Sequence, residues 1–155
     1  MEHVLRLFRD KDEANIKSLI LTILSKEYSF DRSTYSDSDL NSKISDTYGG
    51  SRDAFFVIEE GDSIVGTVGV KHEAGADAIM RRLFVDVKRR RHGYGAELLD
   101  AVIQFCKQKG YKRILFRCTD RMASAIALCL KKGFKEVEKL EVSGFKIHKL
   151  ELILN

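Results

Sequence analysis

Three β-strand patterns joined by short connections constrain the fold of this chain more than any other feature. Apolar and β-branched residues fill 54–58, 64–70 and 78–85, and turn-forming residues occupy 59–62 and 74–77. A parallel neighbour would need a crossover of a dozen or more residues, usually a helix. The spacing therefore predicts three antiparallel neighbours in the middle of the chain.

Before these strands, the chain shows one strand pattern and one clear helical pattern. A strand over 4–8 precedes an amphipathic helix that ends near Tyr28, and the spacing of Asp10 and Glu13 resembles a capping box at its start. Residues 29–50 are polar and carry a weak helical pattern. The N-terminal part is therefore expected to supply one strand and one or two helices.

After the three strands, apolar periodicity predicts the rest of the fold. It indicates a helix ending at Gly110, a strand over 113–118, a helix ending at Gly133, and a closing hairpin of 134–142 and 145–154. The order β-α-(α)-β-β-β-α-β-α-β-β predicts an α/β fold of the α+β type. We expect a mixed, mostly antiparallel sheet of about seven strands flanked by about four helices, in a single domain over 1–155.

Composition is that of an ordinary globular protein, with 44% apolar and 32% charged residues. No apolar run approaches the roughly 20 residues that a membrane span needs. The N-terminus has mixed charge and no apolar core of a signal peptide. We therefore expect a cytoplasmic protein that is not bound to a membrane.

The sequence predicts neither a metal site nor a disulfide framework. The four histidines are scattered without ligand spacing. The cysteines are odd in number and widely spaced, with no C-x-x-C pair: Cys106, Cys118 and Cys129.

The most informative stretch follows a strand pattern and opens a helix; it reads Arg90-Arg91-His92-Gly93-Tyr94-Gly95-Ala96. The first turn of a helix offers unpaired N–H groups and a positive dipole end, which suit phosphate. The two glycines permit open dihedrals and close approach of an anion, and the two arginines add charge. The stretch predicts a phosphate-binding loop, although a glycine-rich turn for tight helix–sheet packing is an alternative reading.

Other phosphate loops match this stretch poorly. A Walker A motif needs Gly-Lys-Ser/Thr, whereas Gly95 is followed by Ala96 and Glu97. The dinucleotide fingerprint needs a third glycine at position 98, which is Leu98, and a parallel βαβ unit near its start.

Arg90-x-x-Gly93-x-Gly95 resembles the Arg/Gln-x-x-Gly-x-Gly/Ala signature of the Gcn5-related N-acetyltransferase (GNAT) superfamily. Residues 81–85 are similar to that family's fourth strand. Residues 119–134, which end in Gly133-Phe134, resemble its second signature. With the element order, the resemblance covers essentially the whole chain and implies a single GNAT-like, acyl-CoA N-acyltransferase-like domain.

The resemblance implies acetyl-CoA as acyl donor, with no metal, and transfer of the acetyl group to a primary amine by direct attack in a ternary complex. The pyrophosphate would lie on the N–H groups of 91–96, and the pantetheine arm would pair with the fourth strand, where it separates from the fifth. A main-chain N–H there would polarise the thioester carbonyl. The implied cofactor-binding residues are Leu83, Phe84, Val85, Arg90, Arg91, His92, Gly93, Tyr94, Gly95, Ala96 and Lys131.

Two side chains that the family often uses are missing. Cys129 occupies the position of a tyrosine that protonates the departing thiolate, and Ile79 that of a glutamate general base. Cys129 is a weak candidate for the general acid, because a free thiol has a pKa near 8.5. It also lies on an apolar helix face, which favours a buried, inert thiol. The base is unidentified among Glu59, Glu60, Glu73 and Asp77.

The acceptor site implied by the resemblance lies near residues 28–50. This segment is acidic and aromatic, which would favour a cationic amine, and a solvated loop explains the same composition equally well. The acceptor is a small-molecule or peptide amine of unknown identity. The residues concerned are Tyr28, Asp31, Arg32, Tyr35, Asp37, Asp39, Lys43, Asp46 and Tyr48.

Two other functions are alternatives to the enzyme. A non-catalytic CoA-binding regulatory module is consistent with the missing tyrosine and glutamate. Nucleic-acid binding through the basic run 88–91 is not expected, because the formal net charge is only +4 and no aromatic platform accompanies the run. The closing strands are a candidate homodimer edge.

Overall fold

The three central strands form the middle of a seven-stranded sheet. The computed structural model describes residues 2–27, 38–142 and 144–155. Short 3-10 turns at Asp10–Asp12, Val87–Arg89 and Asp120–Met122 join some of the elements. The strands and helices are β1 (His3–Leu7), α1 (Glu13–Glu27), α2 (Ile44–Tyr48), β2 (Ala54–Glu60), β3 (Ser63–Ala74), β4 (Asp77–Val85), α3 (Tyr94–Gln108), β5 (Arg113–Thr119), α4 (Ala123–Lys131), β6 (Lys135–Val142) and β7 (Phe145–Ile153).

The sheet order is β1-β2-β3-β4-β5-β7-β6. Every neighbouring pair is antiparallel except β4 and β5, which α3 connects in parallel. The predicted element order and the mixed, mostly antiparallel sheet are confirmed. None of the helices in the described ranges has the length and apolar character of a membrane span.

The start of α1 differs from the predicted capping box. The carboxylate of Asp12, rather than Asp10 or Glu13, accepts the backbone N–H of Arg9 at 2.7 Å. The Glu13 carboxylate accepts the N–H of Ile44 at 2.8 Å. The predicted capping residues were therefore wrong. Glu13 instead makes a long-range contact that connects the start of α2 to α1.

The helices cover both faces of the sheet. Phe55 and Gly69 are paired on β2 and β3, and a Cβ added to Gly69 would lie 2.7 Å from the Tyr48 ring of α2. Phe56 points to the other face, where its ring lies 6.0 Å from that of Phe105 in α3. The side of the sheet covered by α2 is called the α2 face below, and the opposite side is called the α3 face.

The parallel pair β4–β5 is short. Bridges join 77–80 to 113–116, ending at Met80 and Phe116, and the strands then separate. At the same point β4 carries a bulge: the register against β3 shifts between Thr67 and Gly69, and Arg82 has a φ of 57°. A gap therefore opens between the C-terminal halves of the two strands.

A buried ion pair holds the bulge in place. The Arg82 guanidinium donates to both oxygens of Asp39, at 2.9 and 2.7 Å, and the Tyr48 hydroxyl donates to the same carboxylate at 2.9 Å. Asp39 is fully buried. Burial raises the pKa of the Asp39 carboxyl, but hydrogen bonding and charge from Arg82 outweigh it, so that the pKa lies below its usual value.

We expect Asp39→Asn to lower the free energy of unfolding by about 3 kcal/mol, since it leaves a buried guanidinium without its counter-charge. For a chain of this length, the melting temperature should fall by roughly 6–12 °C at neutral pH. Asp46→Asn, which changes an exposed carboxylate on α2, is the control and should shift it little.

The ion pair of Asp39 and Arg82 should also make the difference in stability between the wild type and Asp39→Asn depend on pH. Because the folded-state pKa of Asp39 is depressed, its contribution is complete above the unfolded-state value of about 4 and is lost as the pH falls below it. The difference in melting temperature between the wild type and Asp39→Asn should therefore become smaller in acid. Equal melting temperatures of the wild type and Asp39→Asn at neutral pH would contradict a stabilising role of the ion pair.

Candidate active site

The loop before α3 presents unpaired backbone N–H groups. Arg91 and Gly93 both adopt left-handed dihedrals, with φ of 67° and 82°. Gly93 is the N-cap of α3 and no side chain caps this helix. The first N–H bonded back to the loop is that of Glu97, to the Gly93 carbonyl at 3.1 Å. The N–H groups of 94–96 therefore have no acceptor within the helix, an arrangement that binds anions.

The side chain of Arg90 binds groups of the protein itself in the described structure. Its guanidinium makes a bidentate pair with Glu27 at the end of α1, with both distances 2.7 Å, and donates to the Val85 carbonyl at 3.1 Å. The contribution of this side chain to phosphate binding stays a prediction. Arg91 is exposed, and its guanidinium has no hydrogen bond or ion pair within the described ranges.

Tyr94 also anchors the loop through its side chain. Its ring is buried, and its hydroxyl donates to Glu60 at 2.8 Å. Arg89 donates to the same carboxylate at 2.6 Å. Hydrogen bonds from Tyr94 and Arg89 lower the pKa of Glu60. The loop is thus fixed to β2 on one side and to α1 on the other, and His92 bonds to the carbonyls of residues 89 and 90.

Gly95 serves close packing of two helices. A Cβ at this position would lie 3.2 Å from a methyl group of Leu128 in α4. The close contact at Gly95 is thus between two helices and not between helix and sheet, as the packing interpretation of the glycines had it, while Gly93 supplies the left-handed cap. Lys131, at the end of α4, is exposed, whereas its neighbour Lys132 pairs with Asp100 of α3 at 2.8 Å.

The gap between β4 and β5 leaves one edge of β4 without a strand partner. From Arg81 to Val85 this strand pairs with β3 but not with β5. Leu83 and Phe84 are buried there, and Val85 is half-buried. The main-chain groups of this edge can accept an extended ligand as an added strand.

A cavity of about 450 Å³ lies beside the gap on the α2 face. Five of its residues are cationic and Glu73 is its acidic member. The lining also includes a set of apolar side chains. The residues are Lys71, His72, Glu73, Ile79, Met80, Arg81, Arg82, Phe84, Phe116, Arg117, Met122, Leu140, Ile147 and Lys149.

The described residues do not form the predicted acidic rim. Asp39 and Tyr48 lie in the buried cluster with Arg82, and Asp46 and Lys43 are exposed on or beside α2. The remaining rim residues lie outside the described residues: Tyr28, Asp31, Arg32, Tyr35 and Asp37. Within the described part of the chain, the charge of the cavity is mainly positive.

Cys129 lies in the hydrophobic core with no exposed surface. Burial raises the pKa of its thiol to about 12. A donor with that pKa transfers a proton unfavourably to a thiolate whose conjugate acid has a pKa near 8.5. The structure therefore favours the inert interpretation of Cys129 over the general acid.

The four candidate bases are not equivalent. Asp77 is held by two bonds from Arg113, which lower its pKa. Glu59 pairs with Arg6 at 3.3 Å, and Glu60 is held by the loop contacts described above. Glu73 lines the cavity, is exposed, and has no hydrogen bond or ion pair with any described residue.

One cluster was missed by the sequence analysis. His148 of β7 lies between the carboxylates of Asp120 and Glu136 and contacts both. The Asp120 hydrogen bond, supported by Glu136, raises the pKa of this histidine. The three residues come from three separate segments, so no spacing in the sequence indicated the cluster. No described group of His, Cys, Asp and Glu residues has the arrangement of a metal site.

Residues 18–134 match the family model described as the acetyltransferase (GNAT) family. The chain belongs to this family. The resemblance inferred from the glycine loop and the element order is thereby confirmed. N-acetyltransferase 8 of Homo sapiens is 32% identical over 87 residues, which cover 53% of this chain and 38% of the human protein. The chain thus matches less than half the length of that relative.

Solved structures share the fold over nearly the whole chain. A GNAT-family acetyltransferase from Staphylococcus aureus Mu50 has a TM-score of 0.86 at 22% identity, covering 99% of this chain and 100% of that one. A protein from Salmonella typhimurium, solved with its cofactor acetyl-CoA, has a TM-score of 0.82 at 16% identity, covering 99% and 94%. At such identities the likeness confirms the fold class.

We expect Ellman's reagent to label none of the three cysteines in the native protein, because all three thiols are buried. All three should react after unfolding in guanidinium. Cys129→Ala and the equally buried control Cys106→Ala should each remove one thiol from the unfolded count and leave the native result unchanged. Rapid labelling of the native protein that is lost in Cys129→Ala and kept in Cys106→Ala would show that the Cys129 thiol is accessible.

Proposed function

We propose that the protein is an acetyl-CoA-dependent N-acetyltransferase that moves the acetyl group to a primary amine by direct attack in a ternary complex. The observation that carries this proposal is the uncapped N-terminus of α3 beside the unpaired edge of β4. One feature can bind a pyrophosphate and the other an extended amide-containing arm. Membership of the GNAT family supports the same reaction.

The residues present fit the diphosphate of acetyl-CoA. A Cβ built on Gly93 would meet nothing within 4 Å, so the space in front of the loop is open. The N–H groups of residues 91–96 would hold the pyrophosphate, and the exposed Arg91 would add charge. The main chain of Leu83 and Val85 would pair with the pantetheine arm, and Lys131 is a further candidate for its nucleotide end.

The chemistry requires little from side chains. An amine bound in the cavity on the α2 face can meet a thioester held in the gap between β4 and β5. A main-chain N–H on the unpaired edge of β4 would stabilise the negative charge that develops on the carbonyl oxygen. Since Cys129 is buried, we propose that solvent protonates the departing thiolate. General acid–base help is worth about 10²–10⁴-fold and is not essential for turnover.

We expect acetyl-CoA to stabilise the wild type against thermal unfolding and Gly93→Asp to abolish this stabilisation. At about 100 times its dissociation constant, a ligand adds roughly 2.7 kcal/mol, or about 5–10 °C for a domain of this size. Asp at position 93 would place a carboxylate where the pyrophosphate binds. The measurement is differential scanning fluorimetry with and without ligand.

Gly144→Asp is the matched control for this test. Gly144 has a φ of 83°, close to the 82° of Gly93, and an added Cβ there also meets nothing within 4 Å. Both variants should lose similar stability without ligand, and Gly144→Asp should keep the full ligand shift. No shift in a wild type purified free of CoA would contradict the acetyl-CoA proposal.

We propose Glu73 as the general base, acting directly or through a water molecule. Glu73→Gln should lower kcat about 10²-fold at neutral pH while KM for acetyl-CoA stays unchanged. Glu141→Gln, an exposed substitution on β6, should leave kcat within twofold. An unchanged kcat in Glu73→Gln would show that bulk water or another group removes the proton.

A non-catalytic CoA-binding module is the second candidate, and the buried Cys129 in place of the family's tyrosine is the observation that favours it. Such a module would bind acetyl-CoA without releasing thiol in the presence of any amine. Thiol release with a panel of amines therefore separates it from the enzyme.

Cytoplasmic localisation, a single domain over 1–155 and a homodimer remain predictions. β6 forms one edge of the sheet. Its charged side chains oppose edge-to-edge pairing with a second copy. The charged residues are Lys135, Glu136, Glu138, Lys139 and Glu141.

A further inference from the structure

We propose that His148, in its imidazolium form, is a positioning residue that holds the turn Asp120–Met122 and thereby fixes Met122 in the wall of the cavity on the α2 face. The contact opens as the pH rises, so that binding of the acceptor amine weakens when His148 loses its proton. This inference rests on the proposed acetyltransferase function, because it concerns the site that would bind the amine. His148 acts through Asp120 and is not a catalytic residue.

His148 lies on the opposite side of the sheet from the cavity. Its neighbours Ile147 and Lys149 line the cavity, and successive side chains of a strand point to opposite faces. The ring of His148 therefore lies on the α3 face. The turn after β5 reaches both sides of the sheet, since Asp120 contacts His148 and Met122 lines the cavity. A change at the histidine can thus alter the cavity through the turn.

The geometry of the cluster requires a protonated ring. Nδ1 of His148 contacts the carboxylate of Glu136, and Nε2 contacts that of Asp120. A neutral imidazole has one N–H and can donate to only one of two carboxylates, whereas an imidazolium donates from both nitrogens. The hydrogen bond from Asp120, with support from Glu136, outweighs burial and raises the pKa of His148. Both contacts together therefore depend on the proton.

The other groups around the ring do not supply this proton. Burial raises the pKa of the two neighbouring thiols to about 12, so they stay neutral. Hydrogen bonding to His148 is the main cause of the lowered pKa of Asp120, and the nearby lysines contribute less. The titratable and charged groups on β5, the turn, α4, β6 and β7 around the ring are Cys118, Asp120, Cys129, Glu136, Lys139 and Lys146.

The turn has little local support from side-chain caps. Met122 is the N-cap of α4, and no side chain caps this helix. Arg121 lies over the Phe145 ring at 5.8 Å, a contact that does not change with pH near neutrality. Within the described ranges, the Asp120 carboxylate has no hydrogen bond or ion pair other than that with His148. This contact is therefore the titratable link between the turn and β7.

The direction of the pH effect follows from the raised pKa of His148. Its contribution is complete below the unfolded-state value of about 6.5 and is lost as the pH rises through the folded-state value. A neutral ring then keeps one carboxylate. The Asp120 side chain is 56% exposed and that of Glu136 is 33% exposed, so water replaces the contact of Asp120 more readily. Release of Asp120 frees the turn and Met122.

The first test follows the methyl group of Met122 by NMR in the free protein. The chain has only three methionines, so labelling with ¹³C-methyl methionine gives three signals, and Met122→Leu assigns one of them. We expect the Met122 signal to shift over roughly pH 6–9 in the wild type and to stay constant in His148→Gln. The signal of Met80, buried at the last bridge between β4 and β5, is the internal reference.

Two variants of the cluster provide a matched comparison. Asp120→Asn and Glu136→Gln each remove one carboxylate from the same imidazole, but only Asp120→Asn removes the charged link to the turn. The pH response of Met122 should be lost in Asp120→Asn and kept, with a lower midpoint, in Glu136→Gln. Thermal unfolding at each pH checks that the variants are folded.

The second test measures binding of an acceptor. Titration of phenethylamine into the CoA-bound protein, followed by the Met122 signal, gives Kd without turnover. The ratio of Kd in His148→Gln to Kd in the wild type should be about two- to fivefold at pH 6, the range of a partly exposed ion pair, and approach one at pH 9. Ionisation of the amine itself cancels in this ratio.

The outcomes separate this proposal from the proposed function. A Met122 signal that does not respond to pH, or that titrates equally in His148→Gln, would overturn the positioning role. A Kd ratio that is independent of pH, or phenethylamine that does not bind, would overturn the effect on the acceptor. Failure of acetyl-CoA to bind the wild type would overturn the proposed function, and the titration of Met122 in the free protein would still decide whether His148 holds the turn.

Discussion

The buried pair of Asp39 and Arg82 is the interaction on which the site depends. Arg82 adopts a left-handed φ of 57°, a conformation that costs a non-glycine residue of order 1–3 kcal/mol. It persists because its guanidinium is bound by Asp39 and its carbonyl accepts the Thr67 hydroxyl at 2.8 Å. The bulge so maintained lies where β4 leaves β5, and the open edge of β4 follows from it.

The predicted phosphate loop likewise combines side chains that are held in place with backbone N–H groups that stay unpaired. Arg90 and Tyr94 use their side chains to tie the loop to α1 and β2, and the N–H groups of the first turn of α3 stay unpaired. An anion site made of main-chain donors needs such anchoring, since its geometry is only as good as the rigidity of the loop. The arginine of the glycine signature thus supports the loop through its pair with Glu27.

The two sides of the gap between β4 and β5 have different characters. The uncapped helix on the α3 face suits the diphosphate of a large donor. The cavity on the α2 face has a volume of about 450 Å³, and its lining is partly apolar and mainly cationic. Under the proposed function, the reaction between the two ligands would take place between the strands, beside the buried side chains of Leu83 and Phe84. Cys129, which the sequence placed near this chemistry, packs into the core instead, because its helix face is entirely apolar.

The sequence by itself determined the elements and their order and predicted the anion loop, since periodicity, glycine spacing and turn residues act over a few positions. It could predict a helix that follows the glycine loop and ends at Gly110, but not which side chains would be available around it. Tertiary structure decided that Arg90 binds a carboxylate 63 positions away, that Asp39 is buried rather than on a rim, and that β4 pairs with β5 only as far as Phe116. Strand register and a crossover helix fix these neighbours, and local patterns carry no information on either.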